Sequence, residues 1–191
     1  MKLINIINSY SEVANAPQFY LKADTALLRN NDAFYIPDGV GRIVAEPCIV
    51  LRVSRLAKCL GERFALRCID AVMGGVRFTA AERLEELRGE GLPWDEAVGF
   101  DHSSALSLDA LPRDTMLEGA VLMVNGEERV RLTTADMRFT VDRIVSHLSE
   151  AMTLRIGDLI YLGSPQSIEV SAGDNLRLML GEHKLLDFDV K

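Results

Sequence analysis

The sequence predicts an α+β domain that is rich in β-strands and carries few helices. Short apolar runs bounded by turn-forming residues recur along most of the chain, as expected of buried strands. The dipeptide Asn125-Gly126 separates two such runs, and both residues tolerate the positive φ angles of a tight hairpin turn. Only three segments have helical features, which argues against a mainly helical protein.

Ten segments are predicted to be strands, because each is apolar and is bounded by turn residues. Six of them lie after residue 119 and make the C-terminal part β-rich. The ten segments are residues 3–7, 34–36, 49–53, 64–69, 120–124, 129–132, 159–162, 167–170, 176–180 and 185–190.

The three helical segments differ in how clearly the sequence marks their ends. A short helix is expected at residues 54–60, where Gly61 would stop it. Thr79 and Glu82 have the spacing of a capping box and open a charged helix that ends near residues 89–91. A third helix begins after Thr140, and its apolar stripe predicts that it covers a sheet. The stripe consists of Val141, Ile144, Val145, Leu148 and Met152.

Length and charge restrict the classes of function. A chain of 191 residues can bury a sizeable core, and we expect a single domain over residues 1–191. The net charge of −7 leaves no basic excess for a nucleic-acid backbone, so no nucleic-acid partner is expected. No apolar run reaches the length of a bilayer span and no secretory signal is recognisable, so we predict a cytoplasmic protein without membrane contact. The cysteines, Cys48, Cys59 and Cys68, lack C-x-x-C spacing, which argues against a zinc site.

Several motifs follow one another in an order that resembles one known family. Residues 154–160 read L-R-I-G-D-L-I, residues 161–165 read Y-L-G-S-P, and Gly173-Asp174 precedes the last strands. Upstream, residues 91–101 read G-L-P-W-D-E-A-V-G-F-D, and residues 19–23 read F-Y-L-K-A. Together these motifs resemble the fumarylacetoacetate hydrolase family over most of the chain, from about residue 19 to residue 190.

This resemblance implies a β-rich mixed roll with few helices, like the C-terminal domain of fumarylacetoacetate hydrolase, usually paired as a homodimer. It also implies a small carboxylic acid with a 2-oxo or enol group as the ligand. In the family such acids are hydrolysed, decarboxylated or isomerised with the help of Mg²⁺ or Mn²⁺. A hard divalent cation prefers oxygen ligands and stabilises the enolate that forms when a neighbouring bond breaks.

The metal ligands that the resemblance implies are only partly present. In the family an E-x-E pair and an Asp on a later strand hold the cation. The preferred ungapped alignment from Lys22 puts Glu46 on the first Glu and Cys48 on the second. A shift by two residues instead puts Val44 on the first Glu and Glu46 on the second. Cys68-Ile69-Asp70 resembles the family segment that carries the metal Asp, so Asp70 is expected to be the third ligand, close to Glu46. Cys48 is a further candidate, although sulfur is a poor ligand for Mg²⁺.

The residues implied to act on the substrate are also incomplete. Lys22 and Ser164 stand at positions that the resemblance assigns to substrate binding, whereas Val98 stands where the family has an active-site Lys. The family's Arg and Gln are missing after Asp70, and His102 is the histidine that we consider as a replacement base. No catalytic residue can be assigned.

Two functions stay open at this point. In the first, the chain is a metal-dependent hydrolase, isomerase or decarboxylase of a small 2-oxo or enol acid, with a remodelled site. In the second, it is a catalytically silent family member that binds a ligand or a partner. The missing residues favour loss of the usual activity and weak or absent binding of Mg²⁺ or Mn²⁺.

Overall fold

The computed structural model describes residues 1–12, 14–29 and 31–191, and β-strands predominate in it. The strands are β1 (Leu3–Ile6), β2 (Phe19–Lys22), β3 (Leu27–Arg29), β4 (Ile43–Val53), β5 (Ile69–Ala80), β6 (Ser104–Leu106), β7 (Leu111–Pro112), β8 (Ala120–Val124), β9 (Glu127–Leu132), β10 (Leu159–Tyr161), β11 (Ile168–Val170), β12 (Asn175–Leu180) and β13 (His183–Asp189). The α-helices are α1 (Glu62–Ala65), α2 (Ala81–Glu90), α3 (Asp95–Val98) and α4 (Val141–Ala151), and 3₁₀ turns span Asp24–Ala26, Leu66–Cys68, Arg113–Glu118 and Thr134–Asp136.

The predicted fold class is confirmed, because these strands form two sheets and the helices are few. The larger sheet has nine strands and runs β2-β1-β10-β4-β5-β6-β3, with β11 paired to β4 and β7 paired to β5. It is mixed, since β1 pairs with β10 and β3 pairs with β6 in parallel, whereas β4 and β5 are antiparallel. The smaller sheet has the order β13-β12-β8-β9 and is antiparallel.

The long antiparallel pair of β4 and β5 forms the centre of the larger sheet. Its register runs from Ile43 opposite Ala80 to Val53 opposite Ile69. Because side chains alternate along a strand, one face of the pair packs into the main hydrophobic core, where Phe78 stacks on another aromatic ring 3.7 Å away. The other face is apolar in its middle, with Arg52 at one end and Glu46 and Arg77 at the other, and the end with Glu46 and Arg77 forms the candidate site.

Two local predictions are confirmed. Asn125 and Gly126 have φ angles of 52° and 85° and connect β8 to β9. The side chain of Thr140 accepts a hydrogen bond from the backbone N–H of Arg143 and thereby caps α4. Val141, Ile144, Val145 and Leu148 of the predicted stripe are buried, whereas Met152 follows the helix and is partly buried. None of the described helices has the length and apolar character needed to cross a lipid bilayer.

Four local predictions are wrong. Residues 54–60 form no helix and instead contain Ala57, which bridges to Leu154. Residues 64–69 are largely helical rather than extended, and residues 34–36 contribute one isolated bridge. Thr79 lies within β5 and does not cap α2, because the N-cap position is Ala80 and has no side-chain hydrogen bond.

Strand β5 is the longest strand that the sequence analysis did not predict, because its interior contains Gly74-Gly75. A Cβ at Gly75 would lie 2.6 Å from Tyr161 Cε1 and 2.6 Å from Val50 Cγ2. Gly75 therefore lets these side chains approach the strand closely. Glycine normally weakens a strand interior, which is why this segment did not read as a strand.

Candidate active site

Four side chains of β4 and β5 line one wall of a cleft. Val44 and Glu46 alternate along β4, and Arg77 and Thr79 alternate along β5, so all four face the same side of the pair. The register puts Glu46 opposite Arg77 and Val44 opposite Thr79. The cleft has a volume of about 350 Å³, which suits a small organic acid.

Strand β2 and the segment from α2 to α3 contribute the more apolar part of the lining. Tyr20 and Trp94 meet edge to face in the cleft, with ring centroids 5.1 Å apart. Leu84 of α2 and Val98 of α3 also line the cleft and belong to the same apolar cluster. These side chains restrict water on that side, so the charges of the β4–β5 wall act in a partly apolar environment.

Glu46 and Arg77 form an ion pair in this wall. Arg77 Nε donates to Glu46 Oε2 at 2.5 Å, and Arg77 Nη1 donates to the backbone oxygen of Ile6 at 2.8 Å. The side chain of Arg77 is 4% exposed and that of Glu46 is 22% exposed. Burial alone would lower the pKa of Arg77, but Glu46, together with Tyr20 and Cys48, raises that pKa by more. Arg77 is therefore a permanent cation on the buried side of the cleft.

Further charges line the cleft around this pair. Arg42 Nη2 lies 3.4 Å from Glu85 Oε1, and Arg88 Cζ lies 5.1 Å from the ring centroid of Trp94. Three arginines thus face two glutamates in the lining, which favours an anionic ligand. Burial, partly offset by the charge of Arg77, raises the pKa of Tyr20 to about 12, so its hydroxyl stays protonated at neutral pH.

The turn that carries the L-G-S-P motif approaches Arg77 at Gly163. The φ angle of Gly163 is +83°, and a Cβ there would lie 2.7 Å from the Ile6 oxygen and 3.6 Å from Arg77 Nη2. A side chain would therefore clash with the backbone that Arg77 itself contacts. Glycine keeps the space beside Nη2 open.

Comparisons with known proteins identify the family of this chain. Residues 5–186 match the sequence profile of the C-terminal fumarylacetoacetate hydrolase family. The chain belongs to the fumarylacetoacetate hydrolase family. The resemblance to this family, which rests on the order of the sequence motifs, is therefore confirmed.

Relatives of this fumarylacetoacetate hydrolase family member include two oxaloacetate tautomerases. The chain is 27% identical over 183 residues to YcgM of Escherichia coli (strain K12). The alignment covers 92% of this chain and 82% of YcgM. It is 29% identical over 183 residues to mitochondrial FAHD1 of Arabidopsis thaliana, which covers 94% of this chain and 82% of that protein. The general type of reaction in the family is therefore hydrolysis, isomerisation or tautomerisation.

A solved structure shares the fold. The crystal structure of fumarylpyruvate hydrolase from Pseudomonas aeruginosa, in complex with Mn²⁺ and pyruvate, matches with a TM-score of 0.90. It covers 100% of this chain and 89% of the other chain at 20% identity. At this identity the likeness establishes the fold of the family member and nothing finer.

The pair of alternate β4 residues that lines the cleft is Val44 and Glu46, which corresponds to the second of the two alignments. Cys48, which the preferred alignment paired with Glu46, lies beyond the cleft in a buried cluster with Val50 and Tyr161. Its burial raises the pKa of the thiol to about 11, which disfavours the thiolate that a metal would need. The preferred alignment is therefore not supported by the structure.

The expectation that Asp70 lies close to Glu46 is wrong. Asp70 stands at the opposite end of β5 and makes a bidentate ion pair with Arg52, with both N–O distances 2.9 Å. The Asp70 side chain is 43% exposed, and its hydrogen bonds from Arg52 lower its pKa. The residue that the β4–β5 register places opposite Glu46 is Arg77.

The other predicted positions divide between the cleft and its surroundings. Val98, which by resemblance stands in place of the family Lys, lines the cleft. Lys22 is buried behind the lining and donates to the Ser103 backbone oxygen at 2.8 Å. The Ser164 hydroxyl donates to the Gln166 oxygen at 2.7 Å, and among the described residues of this turn it is Ser167 that lines the cleft. His102 lies in a different surface depression.

The sequence reading missed Arg77, Tyr20 and Trp94, as well as the two outer arginines, Arg42 and Arg88. One signal could have revealed Arg77, since it is a lone charge inside an otherwise apolar stretch that runs to residue 81. Such a charge needs a partner of opposite sign when it is buried, and Glu46 is the acidic residue of the preceding strand. The pairing of Glu46 with Arg77 depends on the register of the two strands, and the composition of the two segments does not determine that register.

The residues of the cleft do not fit a divalent cation of the Mg²⁺ or Mn²⁺ type. Such a cation requires several oxygen ligands. Within the described residues no three His, Cys, Asp or Glu side chains are grouped so that they could hold a metal ion. The carboxylate of Glu46 is already bonded to the guanidinium of Arg77, whose positive charge would repel a cation.

Proposed function

We propose that this protein binds a small carboxylic acid with a 2-oxo or enol group in the cleft, without the cation-dependent turnover of such acids. The observation that carries the proposal is the ion pair of Glu46 with Arg77, which leaves no free carboxylate set for a metal. The excess of arginine in the lining supports an anionic ligand, and the similarity to oxaloacetate tautomerases supports its chemical class.

The absence of a charged group at Val98 supports the same conclusion. A reaction that develops negative charge on an oxygen needs a preorganised donor or cation at that oxygen, and loss of one such group commonly costs about a hundredfold or more in rate. Val98 is 3% exposed and offers neither charge nor donor. Arg77 can hold a carboxylate, but its guanidinium gives up no proton at neutral pH and so cannot serve as an acid.

Calorimetry in the presence of EDTA tests the binding. We expect saturable binding of oxaloacetate, pyruvate and acetopyruvate, and no binding of methyl pyruvate, which lacks the carboxylate charge. A parallel assay with added Mn²⁺ follows the enol absorbance of the same acids, and we expect the rate to equal that of a protein-free control. Failure of all three acids to bind would overturn the proposal.

A second candidate is an active, metal-dependent enzyme on the same class of acids. It is favoured by the 27% and 29% identity with oxaloacetate tautomerases over most of the chain. The two candidates differ in the Mn²⁺ assay. Turnover that appears with Mn²⁺ and disappears with EDTA would establish the enzyme and exclude the silent binding protein.

A further inference from the structure

We infer that the guanidinium of Arg77 is the ligand-binding cation of the cleft, so that strand β5 itself supplies the positive charge beside Glu46. This assignment deepens the proposed function and rests on it for the nature of the ligand. It assigns to Arg77 the role of a permanent, covalently attached cation that neither EDTA nor competing metals remove.

The hydrogen bonds of Arg77 leave the N–H groups of Nη2 for a ligand. Nε is bonded to Glu46 and Nη1 to the backbone oxygen of Ile6. Within residues 1–12, 14–29 and 31–191, Nη2 makes no hydrogen bond that meets the usual distance and angle limits. An arginine presents five N–H donors, so it can hold Glu46 through Nε and still donate to a second carboxylate through Nη2.

The surroundings of Nη2 have room for that second carboxylate. Gly163 places no side chain beside Nη2, and a Cβ there would already come within 3.6 Å of it. Glu46 offsets the charge of Arg77, so the remaining attraction for an anion comes from the donors of the fork and from Arg88 at the outer lining. The cavity of about 350 Å³ limits the ligand to a small acid.

Substitutions chosen from the strand register test whether the guanidinium of Arg77 occupies the place where a metal cation would bind. Val44 and Glu46 face the cleft from β4, and Arg77 stands opposite Glu46 on β5. The double substitution Val44→Glu/Arg77→Asp would present three carboxylates to one point, with no guanidinium left. We expect this variant to bind Mn²⁺ with a stoichiometry near one, as measured by calorimetry or by electron paramagnetic resonance, and the unmodified protein to bind none at this site.

Ligand binding tests the role of Arg77 in the protein as it exists. The variant Glu46→Gln/Arg77→Met removes both charges together, so that no buried charge loses its partner. We expect it to bind oxaloacetate at least about tenfold more weakly than the unmodified protein, as expected for loss of a charge-assisted hydrogen bond. Arg77→Lys keeps the charge but loses the fork, so an intermediate affinity is expected. Arg52→Met is the matched control at the far end of the same strand pair and should leave affinity unchanged.

The outcomes separate this inference from the proposed function. If the unmodified protein binds none of the acids, the proposed function fails and the ligand role of Arg77 fails with it. If it binds oxaloacetate and Glu46→Gln/Arg77→Met binds it equally well, the proposed function stands and the inference is overturned. A folded Val44→Glu/Arg77→Asp protein, checked by circular dichroism, that binds no Mn²⁺ would also overturn it.

Discussion

Glu46 and Arg77 stand directly opposite each other on antiparallel strands, and their side chains meet at an N–O distance of 2.5 Å. The pair joins the two central strands of the larger sheet and also forms the charged wall of the cleft. If the proposed function holds, stability and ligand binding depend on the same two side chains, and we expect substitutions at either position to affect both.

Replacement of Arg77 alone should destabilise the protein strongly. Arg77→Met leaves the partly buried carboxylate of Glu46 without its partner, and loss of one member of a buried pair costs about 3–5 kcal/mol. Because Glu46 is 22% exposed and can recruit water, we expect a loss in the free energy of unfolding near the lower limit, about 3 kcal/mol. Urea denaturation measures it.

The control for this prediction is the second ion pair of the same strand pair. Arg52 and Asp70 are 41% and 43% exposed, so Arg52→Met should change the free energy of unfolding by less than about 1 kcal/mol. The neutral variant Glu46→Gln/Arg77→Met should recover much of what Arg77→Met loses. Equal losses for Arg77→Met and Arg52→Met would contradict the importance of the buried pair.

The three cysteines should differ sharply in reactivity. Cys48 and Cys68 are buried and Cys59 is exposed. Burial raises the pKa of Cys48 to about 11 and also raises that of Cys68, so neither forms much thiolate, the reactive species, at pH 8. We expect one rapid reaction per chain with Ellman's reagent, and its loss in Cys59→Ser. Unfolding in urea should expose all three thiols, and rapid modification of a second thiol in the native protein would contradict the prediction.

Much of the fold was predictable because local patterns determine it. The apolar stripe of α4 and its Thr140 cap lie within one stretch of sequence, as does the hairpin turn at Asn125-Gly126. The helix expected at residues 54–60 failed because a short helix is costly to nucleate without tertiary contacts. That segment instead gains a bridge between Ala57 and Leu154, far apart in the sequence.

The candidate site was less predictable because its geometry depends on register. Glu46 and Val98, which the sequence had singled out, line the cleft, and their part in binding stays a prediction. Asp70 was chosen because Cys68-Ile69-Asp70 resembles the family segment that carries the metal Asp, but β5 continues to Ala80 and brings Arg77 opposite Glu46. Two strands of similar composition can pair in several registers, and the side chain that stands opposite Glu46 differs with each.

Lys22 should make stability depend on pH. Its amine is buried and donates to Ser103 and to the Phe78 oxygen. Burial, together with the charge of Arg77, holds the pKa of Lys22 well below its usual 10.5. The unfolded chain therefore binds this proton more readily than the folded protein, so stability rises with pH from the lowered pKa up to 10.5.

We therefore expect the difference in free energy of unfolding between the unmodified protein and Lys22→Met to grow in favour of the unmodified protein as pH increases. Urea denaturation at pH 7, 8 and 9 measures this difference. Lys58→Met is the control, because Lys58 is an exposed lysine whose amine also donates to a backbone oxygen. A difference for Lys22→Met that stays constant with pH would show that Lys22 has a similar pKa in the folded and unfolded states.

Alanine substitutions at Gly163 and Gly157 distinguish the cost of backbone strain from the cost of crowding at the cleft. Their φ angles, +83° and +86°, are almost equal, but a Cβ at Gly157 would meet nothing within 4 Å. Gly157→Ala should therefore lose only the conformational preference, about 1–2 kcal/mol in the free energy of unfolding.

Gly163→Ala carries the same conformational cost, and its Cβ would also lie 2.7 Å from the Ile6 oxygen, the atom that accepts a hydrogen bond from Arg77 Nη1. Relief of this clash must move β1 or the L-G-S-P turn, at a further cost of about 1–3 kcal/mol. Because the new methyl group also narrows the space beside Nη2, affinity for oxaloacetate should fall in Gly163→Ala and stay unchanged in Gly157→Ala. Urea denaturation and calorimetry on the two variants measure both effects. Equal stability and equal affinity of the two would show that the turn does not press against the Arg77 site.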